Sequence, residues 1–91
     1  VPVTYRIDGS RFETQRGFWA ELGRAVNGPD GYFGRNLDAL ADCLRGGYGT
    51  PDDRPFRFVW AHSAVSRARL GERFDRIVAV FADEGVELEL R

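Results

Sequence analysis

Ninety-one residues suit one domain built around one core. With 43% apolar and 30% charged residues the composition reads as globular and soluble, since disordered chains carry fewer large apolar groups. Thirteen Arg, with no Lys, face fourteen Asp and Glu for a formal net charge of −1. That balance argues against a nucleic-acid binder, which needs a basic face to neutralise phosphates, and against a membrane-surface protein, which needs a basic amphipathic segment. Cys43 is the only cysteine, so no intrachain disulfide is expected. The first ten residues lack the apolar core of a signal peptide, and the longest apolar run, Ile77 to Ala82, is too short to span a bilayer. The expectation is a cytoplasmic protein of one domain over residues 1–91.

Along the chain, Val1, Val3, Tyr5 and Ile7 alternate with polar residues up to Asp8, the period of a half-buried strand. Phe18, Leu22, Ala25 and Val26 then fall on one helical stripe, with Thr14 as its cap and Asn27-Gly28-Pro29 as its stop. From Asn36 to Arg45, Leu37, Leu40, Ala41 and Leu44 trace a second amphipathic helix ended by Gly46. Phe56 to Ala61 is densely apolar and too short for a helix, which predicts a central strand. Ser63 is placed to cap a short helix reaching Leu70. Phe74, Ile77, Val78 and Phe81 make a longer stripe ended at Gly85, and Val86, Leu88 and Leu90 alternate with charged residues in a last strand. The order β–α–α–β–α–α–β predicts a two-layer α/β fold, with a three-stranded parallel sheet and about four helices mainly on one face. No repeat or low-complexity tract interrupts it.

The segment Tyr32 to Tyr48 carries the chemistry. Asp38 and Asp42 lie four residues apart, about 40° around a helix, on a side about 120° from the apolar stripe. Both carboxylates are therefore expected to be exposed on an element anchored in the core. Two like charges at this spacing cost a helix ~0.2–0.5 kcal/mol, and Asp is a poor interior helix residue, so the pair hints at a task outside the fold. From residue types alone, a solvated face with Arg35–Asp38 and Asp42–Arg45 pairs is the favoured explanation.

The run Gly34-Arg35-Asn36-Leu37-Asp38-Ala39-Leu40-Ala41-Asp42-Cys43-Leu44-Arg45-Gly46 resembles the motif of the barstar family, intracellular inhibitors of the ribonuclease barnase. The likeness is specific over about fifteen residues, and element order and length agree elsewhere. It implies a small parallel sheet of three strands packed against helices, and a secreted guanyl-specific ribonuclease of the barnase-like superfamily as partner in a one-to-one complex. It also implies that Asp42 sits among the enzyme's phosphate-binding cations and that Asp38 pairs with a nearby Arg. Tyr32, Phe33, Gly34, Asn36, Ala41, Arg45, Gly46 and Gly47 fall in the same interface by the same likeness. Asp83 is the first match for an outer acidic contact from the fourth helix, and Glu84 the second. Ala41 and Gly47 stand where the family often has Trp, and Arg45 where it has a small polar residue. Tyr48 is expected to supply a substitute ring.

Neither catalytic nor metal-binding residues, nor a cofactor, are expected. Cys43 reads as a small buried hydrophobe. His62 reads as a strand-end or capping residue, since adjacency to Ser63 is no evidence of a nucleophile–base pair. One His and one Cys make no ligand cluster. Trp19 and Trp60 read as core residues. Gly46 to Gly49 follows a helix and lacks the Lys of a phosphate loop. An interaction module with a non-ribonuclease partner, or a small hydrolase using Asp38, Asp42 and His62, remain as alternatives.

Overall fold

The computed structural model describes residues 2–91; Val1, at the start of the expected first strand, lies outside them. The elements are β1 (Val3–Asp8), α1 (Gln15–Asn27), α2 (Leu37–Arg45), β2 (Phe56–Ala61), α3 (Ser63–Leu70), α4 (Glu72–Asp83) and β3 (Glu87–Leu90). The strands form one parallel sheet in the order β1-β2-β3. Val3 stands opposite Phe56 and Asp8 opposite Ala61, while Arg57 stands opposite Glu87 and Trp60 opposite Leu90. Parallel neighbours need crossover connections, and each pair of helices supplies one. This is the expected α/β fold.

Period-two alternation divides the sheet by chemistry. Tyr5, Ile7, Phe56, Phe58, Trp60 and Leu88 belong to one core cluster with residues of all four helices. Trp60 stacks on Phe18 of α1 at 5.0 Å and meets Phe74 of α4 at 4.9 Å. Phe58 meets Phe81 of α4 at 5.1 Å. On the other face Arg57 pairs with Glu87 at 3.3 Å and Glu89 at 3.1 Å. Val59 on that face is only 2% exposed, flanked in register by Arg6 and Glu89, whose aliphatic stems can cover it while their charges reach water.

A buried polar chain fixes the end of the sheet. The Trp60 indole N–H donates to Ser66 Oγ at 3.0 Å, and the Ser66 hydroxyl donates to the Gly9 carbonyl at 3.3 Å. Thr14 caps α1 as expected, accepting from the Gly17 N–H at 3.1 Å. Ser63 does not cap α3. His62 takes the cap position in a left-handed conformation, φ 55°, with no side-chain cap bond. The Ser63 hydroxyl donates instead to the Arg91 carbonyl at 2.9 Å, and its N–H reaches the same oxygen at 2.8 Å, so a tertiary partner outbids the local one. Gly71, at φ 60°, separates α3 from α4.

Glu21 is a buried carboxylate that the apolar stripe of α1 does not reveal, at 5% exposure. It accepts from Arg24 at 2.7 and 2.8 Å and from the Asp8 N–H at 2.8 Å, tying α1 to the end of β1, with Arg11 at 3.6 Å. Burial pushes its pKa up, but the hydrogen bonds from Arg24 and the Asp8 amide, with the charges of Arg24 and Arg11, outweigh burial and hold it below the ordinary 4.5. Its folded pKa is thus depressed, so the stabilisation is complete above the unfolded value and is lost as pH falls through the folded one. Glu21→Gln is expected to cost about 2 kcal/mol at neutral pH, from loss of charge-assisted bonds. Denaturant titrations should show that penalty shrinking below about pH 4.5 as the wild-type carboxylate protonates.

Candidate partner-binding face

Helix α2 is nine residues long, so its hold on the core decides its geometry. Leu40, Cys43 and Leu44 are buried, and Asn36 caps the start by accepting from the Ala39 N–H at 2.8 Å. At the other end the Gly46 N–H donates to the Cys43 carbonyl at 3.2 Å, with Gly46 at φ 127°. Burial first, and the nearby Asp42 charge second, push the Cys43 thiol's pKa up, so it behaves as the small hydrophobe expected.

Asp38 and Asp42 are both exposed, as their spacing predicts. The local cost of placing them here is largely offset. Asp38 lies in the first turn, where the helix dipole favours a negative charge, and Asp42 pairs with Arg45 Nη1 at 3.0 Å. Arg35 lies over the Tyr32 ring, 6.0 Å from its centroid, instead of pairing with Asp38.

Arg45 also makes a two-pronged contact with Glu84, Nε to Oε1 at 2.8 Å and Nη2 to Oε2 at 3.0 Å. Of the two acidic residues expected near this face, Glu84 is therefore the one that reaches α2, whereas Asp83 is exposed on the last turn of α4. The contact raises the Arg45 pKa, the hydrogen bonds to Glu84 being the main cause.

The residues named on this face divide by what they offer a partner. Tyr32 and Tyr48 are 44% and 46% exposed, with ring centroids 6.2 Å apart, so Tyr48 does place a second ring beside the first. Gly47 is exposed, and Ala41 and Gly46 are half-buried, leaving no large side chain at these positions. The Phe33 side chain is 0% exposed, 6.0 Å from Phe58 in the core, so its ring anchors the loop and only its backbone lies toward a partner. Gly34 is buried against Leu40, and the Asn36 side-chain oxygen is engaged in the cap.

Asn27 organises the loops on either side of α2, a role that its place in a helix stop does not reveal. Its Nδ2 donates to the Tyr32 carbonyl and to the Tyr48 carbonyl, both at 2.7 Å. Glycine is required where these loops close on α1. A Cβ at Gly23 would lie 1.9 Å from the Gly31 carbonyl oxygen, and one at Gly49, φ 124°, would lie 2.2 Å from Asn27 Oδ1. An open groove between α1 and the 29–36 loop, lined by Arg16, Trp19, Arg24 and Arg35 among others, borders this face but contains neither Asp38 nor Asp42. Among the described residues no group of three or more His, Cys, Asp or Glu side chains converges as metal ligands. No helix among them is long and apolar enough to cross a membrane.

The fold and this face define a small α/β protein whose chemistry is displayed on an outward helix. Residues 3–90 match the family described as Barstar (barnase inhibitor). A protein of Bacillus subtilis (strain 168), described as "Putative ribonuclease inhibitor YrdF", is 36% identical over 83 residues, covering 91% of this chain and 86% of the relative. The chain belongs to the barstar family.

Asn27→Ala is expected to cost about 1 kcal/mol, the loss of two exposed amide–carbonyl bonds. Amide hydrogen exchange should quicken over 46–50 while β2 amides keep their protection.

Proposed function

We propose that this protein inhibits a guanyl-specific microbial ribonuclease, of the barnase-like superfamily and secreted by its host, in a one-to-one complex that fills the enzyme's active site. The observation that carries this reading is the exposed pair Asp38 and Asp42 on a short helix whose other side is locked in the core. A ribonuclease site is a cationic pocket shaped to hold a phosphodiester. Carboxylates held rigidly at phosphate-like positions satisfy those cations and present no bond to cleave. Preorganisation matters because an interface loses affinity for every side chain it must order on binding. Opposite charges also steer encounter, so association is fast and weakens with salt.

Under this reading Asp42 meets the phosphate-binding cations and Asp38 an adjacent cation. Tyr32 and Tyr48 pack at the rim, and Gly46 and Gly47 let the enzyme's surface approach the α2 terminus. The protein acts in the cytoplasm, where a single reduced cysteine is at home, and protects its host from enzyme not yet exported. It carries out no reaction of its own.

Asp42→Ala tests the pose. Two charge-assisted hydrogen bonds lost in a dry pocket amount to about 3 kcal/mol, or roughly 10²-fold in Kd. An RNA-cleavage assay should show that weakening while circular dichroism and Tm stay close to wild type, because Asp42 is 64% exposed. The lack of a large side chain at Ala41 and Gly47 supports a second reading, an interaction module for a non-ribonuclease partner. That reading predicts no inhibition of any member of a guanyl-specific ribonuclease panel, with or without the substitution.

A further inference from the structure

Arg45 occupies an unusual position on a face meant to attract cations. All three of its guanidinium nitrogens are engaged: Nη1 with Asp42 Oδ1 at 3.0 Å, and Nε and Nη2 with the two Glu84 oxygens at 2.8 and 3.0 Å. The planar fork suits a carboxylate on two edges at once, which a Lys ammonium does not. Glu84 is 17% exposed and sits at the C-terminal end of α4, whereas Arg45 is 61% exposed, so the fold holds the carboxylate and the carboxylate holds the guanidinium. The result is an internal counter-ion parked on one oxygen of Asp42.

We infer that Arg45 is a specificity-determining residue, which masks Asp42 and Glu84 in the free protein and disfavours ribonucleases that present a cation where its own guanidinium already lies. The inference rests on the ribonuclease-inhibitor reading above and adds to it a repulsive element. An incoming cation must either displace Arg45 from Asp42 or settle on the other oxygen, beside a like charge. Discrimination built on such juxtaposition is a general route to specificity, since a clash with the wrong partner counts as much as a contact with the right one. Glu84 opposes displacement, because swinging Arg45 away breaks a two-pronged pair and leaves a half-buried carboxylate without its cation.

The test compares barnase binding by wild type, Arg45→Ser, Arg16→Ser and Asp42→Ala, with the Asp42→Ala/Arg45→Ser double variant, by stopped-flow association and equilibrium titration. Arg16, on α1 and exposed, provides the same change of net charge outside the Arg45, Asp42 and Glu84 cluster. Arg45→Ser is expected to tighten barnase binding by up to about fivefold, the scale of one exposed ion pair removed from competition. The gain should shrink with added salt, exceed that of Arg16→Ser, and be smaller in the Asp42→Ala background. Weaker binding by Arg45→Ser would overturn the inference, showing Arg45 to be a direct donor to the enzyme. An equal gain from Arg16→Ser would overturn it too, leaving only net charge. If neither wild type nor Arg45→Ser binds barnase, the inference falls, while the reading beneath it falls only if no member of a guanyl-specific ribonuclease panel binds either. If wild type binds, Asp42→Ala weakens it and Arg45→Ser brings no gain, the inference alone falls.

Discussion

A nine-residue helix is below the length at which an isolated helix persists in water, about 12–15 residues, so α2 exists because its neighbours hold it. Leu40, Cys43 and Leu44 sink into the core, Asn36 and Gly46 settle its ends, and Glu84 reaches it through Arg45. Most of the remaining architecture can be traced to that requirement. The aromatic floor of Phe58 and Phe33 and the Phe81 ring of α4 form a hard surface under the helix region, and the parallel sheet fixes that surface in register. The carboxylates on the opposite side inherit this rigidity without contributing to it.

The same arrangement separates stability from recognition. The groups that hold the fold are buried and mutually satisfied: Trp60 with Ser66 and Gly9, Glu21 with Arg24 and the Asp8 amide. Those available to a partner, Asp38, Asp42, Tyr32 and Tyr48, are exposed and can change without opening the core. A barstar-family protein can therefore alter its contact surface while the scaffold stays constant. Here small residues at Ala41 and Gly47 and a cation at Arg45 make a face flatter and less acidic than the Asp pair alone would give, with the Tyr48 ring beside Tyr32. Asn27 links the two tyrosine loops, so their rings are presented as a unit.

Local pattern carried much of this into the sequence. Alternation in Val3 to Asp8 and in Glu87 to Leu90, the stripe through Leu40 and Leu44, and the breakers at Gly28, Gly46 and Gly85 are nearest-neighbour effects, legible without the fold. Exposure of Asp38 and Asp42 followed from helical angle. What escaped was decided by contacts distant in the chain. Phe33 sits in a motif of surface residues, yet its ring fills the core beneath a loop. Ser63 has the right chemistry for a cap, but the Arg91 carbonyl, 28 residues away, takes its hydroxyl. Glu21 stands among exposed polar positions in composition, and only its encounter with Asp8 and Arg11 shows it to be buried and paired. Glu84 and Asp83 are neighbours of like charge, and only the end of α4 decides which one turns toward Arg45.

The central claim is that Asp38 and Asp42 stand in for RNA phosphate inside a ribonuclease active site. Its most direct measurement is calorimetric titration of a guanyl-specific microbial ribonuclease with this protein, repeated with the enzyme saturated by a guanosine monophosphate. The account predicts one-to-one binding that the nucleotide competes away and that added salt weakens. Binding of undiminished strength to the nucleotide-filled enzyme would place the contact outside the active site and contradict it.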